Sequence, residues 1–459
     1  MSKKTGVAVA FVGVCVLSLF LLNCGSSSSR PAGVLYVLTQ GSNFVGNNVS
    51  SFGIDLNSGG LSLINSNAST CPTAGSTANP EPCGLPLDIL LDPTGATAFV
   101  LNQGIPSASV APTIYSYKVN SDGSLGAPTL AATLATGDLP ITMVRDAAGS
   151  LLFVLEAGTN PLPETGCPLT SSSNSSYAGC PSISTFTAGA TSLALASGSP
   201  LYLGKIPTAM SALTFPAPAT GSGTIPPPYC GFTAGGSEEF LFVTNSQDLS
   251  TLQDDNTLSV YCVDSTGTLT DVTPTPPLNP QPGPLSVQAV NTSPAGQNSG
   301  GVFVYVGSQT NVTGSLSVFQ MCTAVGIGGC GQQDVTNVVL KQVGTTPTST
   351  GQNPVGAVVD PMNQFLYVLC SQGSSQVYGY LINASGALSP LNPPYLPTGS
   401  QPVALALHPT VNNTGQFLFV SNAGSSSVSG FTLNTTSGVM SSSGDPASTT
   451  TTPSGIAVH

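Results

Sequence analysis

Seven short words recur along this chain, "LYVLT", "AFVLN", "LFVLE", "LFVTN", "VYVGS", "LYVLC" and "LFVSN", and each ends on a side chain that can do chemistry. In order those ends are Thr39, Asn102, Glu156, Asn245, Ser308, Cys370 and Asn422. If the seven ends converge, a ring of amide and carboxylate oxygens could bind a sugar, a peptide backbone or a hard cation such as Ca²⁺, which prefers oxygen ligands. Glu156 is the one charged member and so the first candidate for ligand binding or general-base catalysis. Asn102, Asn245 and Asn422 are the accompanying ligand-binding candidates. The competing reading is local: an asparagine at a strand end often does no more than hydrogen-bond nearby backbone.

The other chemistry-bearing residues support less. His408 stands six residues after Pro402 and His459 six after Pro453, just as Asp92, Asp146 and Asp360 stand six after Pro86, Pro140 and Pro354. Both histidines therefore fill a slot that elsewhere holds a turn-forming aspartate, and nothing singles out a serine to complete a Ser-His-Asp triad. The acidic stretch "QDLSTLQDDN" at 247–256 lacks the alternating spacing of an EF-hand loop and reads as a solvated loop. No C-x-x-C pair exists, which argues against zinc or thioredoxin-type chemistry.

These residues need elements to position them, and the elements are legible as repeats. "PLDILLDPTGATAFVLN" from Pro86, "PVGAVVDPMNQFLYVLC" from Pro354 and "PVALALHPTVNNTGQFLFVSN" from Pro402 each run as proline, short strand, turn and second strand. Proline is tolerated at the start of a strand, and Asp-Pro-x-Gly is turn chemistry. A third strand follows, such as "TIYSYKVN" or "QVYGYLIN", and "GSLGAPTL" or "GALSPL" leads into a fourth. Strand-opening prolines at 86, 140, 207, 284, 354, 402 and 453 count seven units, with extra strand residues before the turn after Pro207 and Pro284. Four-stranded units repeated about an axis make an all-β, seven-bladed β-propeller. "VLYVLT" lacks a first strand and "PSGIAVH" at 453–459 is a first strand alone, so the C-terminal strand is expected to pair with the N-terminal one and close the ring.

With its "YVTN"-like second strands, residues 34–459 resemble the YVTN and lactonase-type seven-bladed propellers, a superfamily that includes 6-phosphogluconolactonase-like enzymes and muconate-cyclase relatives. The resemblance implies a fold more than an activity, because one fold hosts many functions. It also implies arginine and histidine near the channel mouth where family enzymes act on anionic substrates. Here Arg145 falls beside a turn on the opposite face, and no basic cluster can be assembled.

The chain opens "MSKKTGVAVAFVGVCVLSLFLLNCGSSSSRP", two lysines and an apolar run too short to span a bilayer. "LLNC" resembles a bacterial lipobox, which makes residues 1–23 a signal peptide, Cys24 the acylated residue and 24–33 a serine-rich tether. Gly25 after it points by the same resemblance to the outer membrane. Beyond Cys24, nineteen acids face five bases, a net charge of −14, so nucleic acid and anionic membrane surfaces are poor partners. In an oxidising compartment the close pairs Cys71/Cys83, Cys167/Cys180 and Cys322/Cys330 read as loop-clipping disulfides, with Cys230/Cys262 a longer-range pair and Cys370 left over as a buried thiol. Long loops after Glu156 and before Pro86 decorate one face. The expectation is a lipid-anchored monomer that binds a protein, peptide or glycan through that face; the alternative is a lactonase-like hydrolase, possible with Ca²⁺, in which Glu156 and the three amides polarise a lactone.

Overall fold

The computed structural model of the protein describes residues 33–41, 47–70, 84–105, 107, 109–135, 137–158, 167–168, 170, 172, 179–215, 238–275, 277–292, 301–310, 312–322, 340–408 and 416–459. The expected signal peptide, Cys24 and all of the expected tether but Gly33, most of the loop after Glu156, and Cys71, Cys83, Cys230 and Cys330 lie outside them. All the named elements are strands, gathered into seven antiparallel sheets.

Each sheet is one blade. Blade 1 takes its innermost strand, Thr452–Val458, from the C-terminus and pairs it with Val34–Gln40, followed outward by Asn48–Ile54 and Leu61–Ser69. The expected closure is therefore present, with Leu35 opposite Val458 and Val37 opposite Ile456. Blades 2 to 7 begin with the innermost strands Pro86–Leu91, Pro140–Arg145, Lys205–Phe215, Pro284–Asn291, Pro354–Val359 and Pro402–His408. Innermost strands of successive blades touch all the way round the ring. The strands after Pro207 and Pro284 are longer than the others, as their sequences suggest.

The recurring words are the second strands, and their unbroken apolar character has a packing cause. A strand with a neighbouring blade on each face is buried on both, so it reads as a continuous hydrophobic run. Thr97–Asn102, Leu151–Glu156 and Phe365–Cys370 are buried at every position. Each blade-to-blade interface has its own apolar core. Blades 1 and 2 share one around Tyr36, Val100 and Tyr117; blades 7 and 1 share one around Val37, Phe419 and Ile456. At about 25 cal/mol per Å² of apolar surface, burying side chains of this size on both faces is the main stabilising term.

The tyrosine of the repeated word adds a polar stitch. Tyr36, Tyr305 and Tyr367 donate from their hydroxyls to the carbonyls of Gly123, Gly386 and Gly438, each in a turn of the next blade. Gly438 sits at φ +70°, and a Cβ there would lie 2.3 Å from the Phe365 ring, so the tight approach requires glycine.

The turns between first and second strands lie on the opposite face. There Asp92, Asp146 and Asp360 accept hydrogen bonds from the backbone amides of Thr97, Leu151 and Phe365, at 2.8, 2.8 and 2.6 Å. His408 occupies the same slot but not the same role. It is fully buried, neither ring nitrogen has a partner among the described residues, and the ring packs 6.2 Å from that of Phe417.

Candidate functional site

A feature common to all seven blades shapes the channel. In every blade the strand-opening proline pairs with the last residue of the second-strand word: Pro86 with Asn102, Pro140 with Glu156, Pro207 with Asn245, Pro284 with Ser308. Pro354 with Cys370, Pro402 with Asn422 and Pro453 with Thr39 complete the set. Directly after each proline the register shifts by one residue, a β-bulge. Proline is compatible with a bulge on an edge strand, where a ladder amide is not needed.

The bulge decides what faces the axis. In a regular strand successive side chains point to opposite faces, so only alternate residues would reach the channel. Here the residue after each proline and its successor both line it, for example Leu87 with Asp88, Ile141 with Thr142, Leu285 with Ser286, and in blades 3 to 7 further residues of the innermost strand line it as well. The first of each pair forms a collar, aliphatic in five blades (Leu87, Ile141, Leu285, Val355, Val403) and hydroxylic in two (Thr208, Ser454). The cavity holds about 530 Å³, the size of a small-molecule site.

Two charged residues line this cavity, Asp88 and Arg145. Asp88 Oδ2 accepts from Thr142 Oγ1 at 2.7 Å and from the Met143 amide at 3.0 Å, both on the neighbouring blade, and Oδ1 accepts from the Ile89 amide at 2.8 Å. Burial nevertheless raises its pKa above the ordinary aspartate value, the three hydrogen bonds acting in the opposite sense. The one salt bridge among the described residues lies elsewhere, between Lys205 and Asp255 at 2.8 Å. Arg145 sits near the other end of its strand, where burial lowers its pKa and the carboxylates of Asp146 and Asp92 oppose that shift.

The seven word-end residues share one level but not one cavity. They belong to second strands, one strand out from the channel, and none of the seven is more than 1% exposed. Asn245 donates from Nδ2 to Ser259 Oγ at 2.9 Å and Asn422 to Ser429 Oγ at 3.0 Å, each tying second strand to third. Asn102 reaches across to blade 1, donating to the Thr70 carbonyl at 3.2 Å. The three Oδ1 atoms have no partner among the described residues.

Glu156 is the electrostatic exception. Its Oε2 accepts a short hydrogen bond from the Ser182 hydroxyl, while Oε1 is buried without a partner among the described residues. Burial first, and the nearby Asp138 carboxylate second, push its pKa up to about 8. Asp138 in turn accepts from the Gly179 amide at 3.1 Å, beside the Cys167–Cys180 disulfide, whose Cα atoms are 5.6 Å apart. Cys262 and Cys322 are also disulfide-bonded, and Cys370 is a free, buried thiol.

Asp248 caps its hairpin turn by accepting from the amides of Ser250 and Thr251, at 2.8 and 3.1 Å, and Asp255 pairs with Lys205. Among the described residues no group of three or more His, Cys, Asp or Glu side chains is arranged to hold a metal ion. Sequence reasoning missed the collar and Asp88. The available signal was the residue after each opening proline, aliphatic in most repeats and followed by a small or polar one.

No family model matches the chain, and no curated protein matches it. Solved structures do. A protein from Bacteroides fragilis, provisionally described as a 6-phosphogluconolactonase, is 14% identical over 93% of this chain and 98% of its own, with a TM-score of 0.57. The Pseudomonas aeruginosa periplasmic gluconolactonase is 16% identical over 93% and 98%, with a TM-score of 0.53. A Lactobacillus plantarum protein is 12% identical over 93% and 99%, with a TM-score of 0.54. At these identities the shared property is the seven-bladed fold.

Proposed function

We propose that this is an exported binding propeller that takes a small ligand with an apolar body into the mouth of its central channel, tethered to the outer membrane through an acylated Cys24. The observation that carries the reading is one cavity of about 530 Å³ at the axis, lined by all seven innermost strands and by both residues that follow each strand-opening proline. Bulges re-aim side chains at functional sites, and this cavity sets an aliphatic collar beside polar groups such as Asp88, Thr142, Ser211 and Ser286, a combination that can both seat and orient a small molecule. A protein, peptide or glycan partner would reach the same mouth by inserting one apolar group.

A second reading, hydrolysis of a lactone or related ester, is favoured by the fold shared with the periplasmic gluconolactonase and by an ionisable carboxyl in the channel. In that reading Glu156 is the acid–base group and the amides of Asn102, Asn245 and Asn422 polarise the substrate. Glu156 has no exposed surface, so substrate contact requires blade 3 to open; Asp88 requires no such movement.

The test is a thermal-shift screen of small amphipathic compounds and aldonolactones on the purified chain and on Val403→Trp, which narrows the mouth, with lactone hydrolysis followed in parallel. Shifts lost in Val403→Trp without turnover support a binding protein. Turnover lost in Asp88→Asn or Glu156→Gln makes it a hydrolase, and no shift or turnover with any compound refutes the channel as the site.

A further inference from the structure

We infer that the channel ligand is an organic amine, a protonated nitrogen carried on an apolar body, with the Asp88 carboxylate as its counter-ion. This rests on the reading of the channel as the binding site and goes beyond it by naming the ligand class.

Asp88 is the single acid of the lining, and its place is fixed from outside its own blade by Thr142 Oγ1 and the Met143 amide. It forms no salt bridge among the described residues. The other charged lining residue, Arg145, stands three positions further along its strand relative to the opening proline, about 10 Å away in the strand direction at the usual rise, and is flanked by Asp146 and Asp92. A carboxylate offers about four acceptor sites, and protein donors fill three of those on Asp88. An ammonium group would complete the set with a charge-assisted hydrogen bond and supply the absent countercharge.

The surroundings select the rest of the ligand. The aliphatic collar residues Leu87, Ile141, Leu285, Val355 and Val403 stand one residue before the level of Asp88, so the nitrogen enters first and the apolar body seats among them. A ligand anion would face Asp88 directly. A chain with nineteen acids and seven bases also draws cations toward its surface over longer range.

The experiment is calorimetric titration of the whole exported chain with size-matched pairs, from butylamine and butanol to 4-phenylbutylamine and 4-phenylbutanol, at about pH 8, where a primary amine is protonated. Wild type, Asp88→Asn and Val403→Trp are compared. Amines should bind more tightly than their alcohols, and Asp88→Asn should weaken amine binding by about thirtyfold, as expected for loss of one partner of a desolvated charge pair, while leaving alcohols unchanged. Equal affinity for amine and alcohol, unaltered by Asp88→Asn but lost in Val403→Trp, would overturn the amine inference and leave the channel reading standing. Absence of binding for every pair, or binding indifferent to Val403→Trp, would overturn both. If Asp88→Asn does not fold, the wild-type pairs decide: tighter binding of each amine than of its size-matched alcohol supports the inference, and equal affinity within every pair overturns it.

Discussion

Thr142 Oγ1 donates a 2.7 Å hydrogen bond to Asp88 Oδ2, joining the innermost strands of two successive blades at the channel wall. Thr142→Val keeps the shape and removes the donor. It should destabilise the protein by about 1.5–3 kcal/mol, the range for a hydrogen bond to a charged group, and raise the Asp88 pKa further because that bond favours the ionised form. Urea unfolding gives the first quantity and NMR titration of the Asp88 carboxyl the second; an Asp88 pKa that stays put or falls would contradict this account.

The raised pKa of Glu156 makes stability depend on pH in a defined direction. Its folded pKa, about 8, lies above the ordinary 4.5, so the folded state binds the proton more tightly than the unfolded chain does. Stability is therefore greatest below about pH 4.5 as far as this group is concerned and falls as pH rises through about 8. Glu239, buried beside Thr214 and raised to about 7, acts in the same sense. Glu156→Gln, which cannot ionise, should remove a loss on the order of a few kcal/mol between pH 5 and 9, read from unfolding curves across that range. Parallel curves for wild type and variant would show that Glu156 does not titrate there.

Deleting residues 453–459 removes the strand that pairs with Val34–Gln40, together with buried Ile456 and Ala457. It also strips the innermost position of blade 1, leaving blades 7 and 2 without their neighbour at the axis. The truncated chain should lose its single cooperative melt in calorimetry. Melting like the parent would refute closure by this strand.

Cys370 is 1% exposed, contacts Thr350 Oγ1 at 3.5 Å, and has its pKa pushed up to about 11, chiefly by burial. Because the thiolate is the reactive form, the native protein should leave Cys370 unlabelled by a thiol reagent at pH 8, with labelling appearing only on unfolding. Peptide mapping of the alkylated protein locates the label, and rapid modification of Cys370 in the native state would contradict its burial.

The sequence by itself determined the blades. Prolines that open strands, turn aspartates such as Asp92 and Asp360, and words such as "LFVTN" each act locally, so strand order, repeat number and the pairing of 453–459 with the first word were all readable. The Cys167–Cys180 bridge was readable too, from proximity and compartment. Only the tertiary structure decided what each repeated residue faces. Asn102, Glu156 and Asn422 look like a ring at a mouth, yet they stand one strand back from the channel and are fully buried. Leu87 and Asp88 look like opposite faces of one strand, yet both line the channel. The physical reason is the bulge: side-chain direction has a period of two, and one extra residue opposite each word end shifts that phase, a property of the pairing between strands and not of either strand alone.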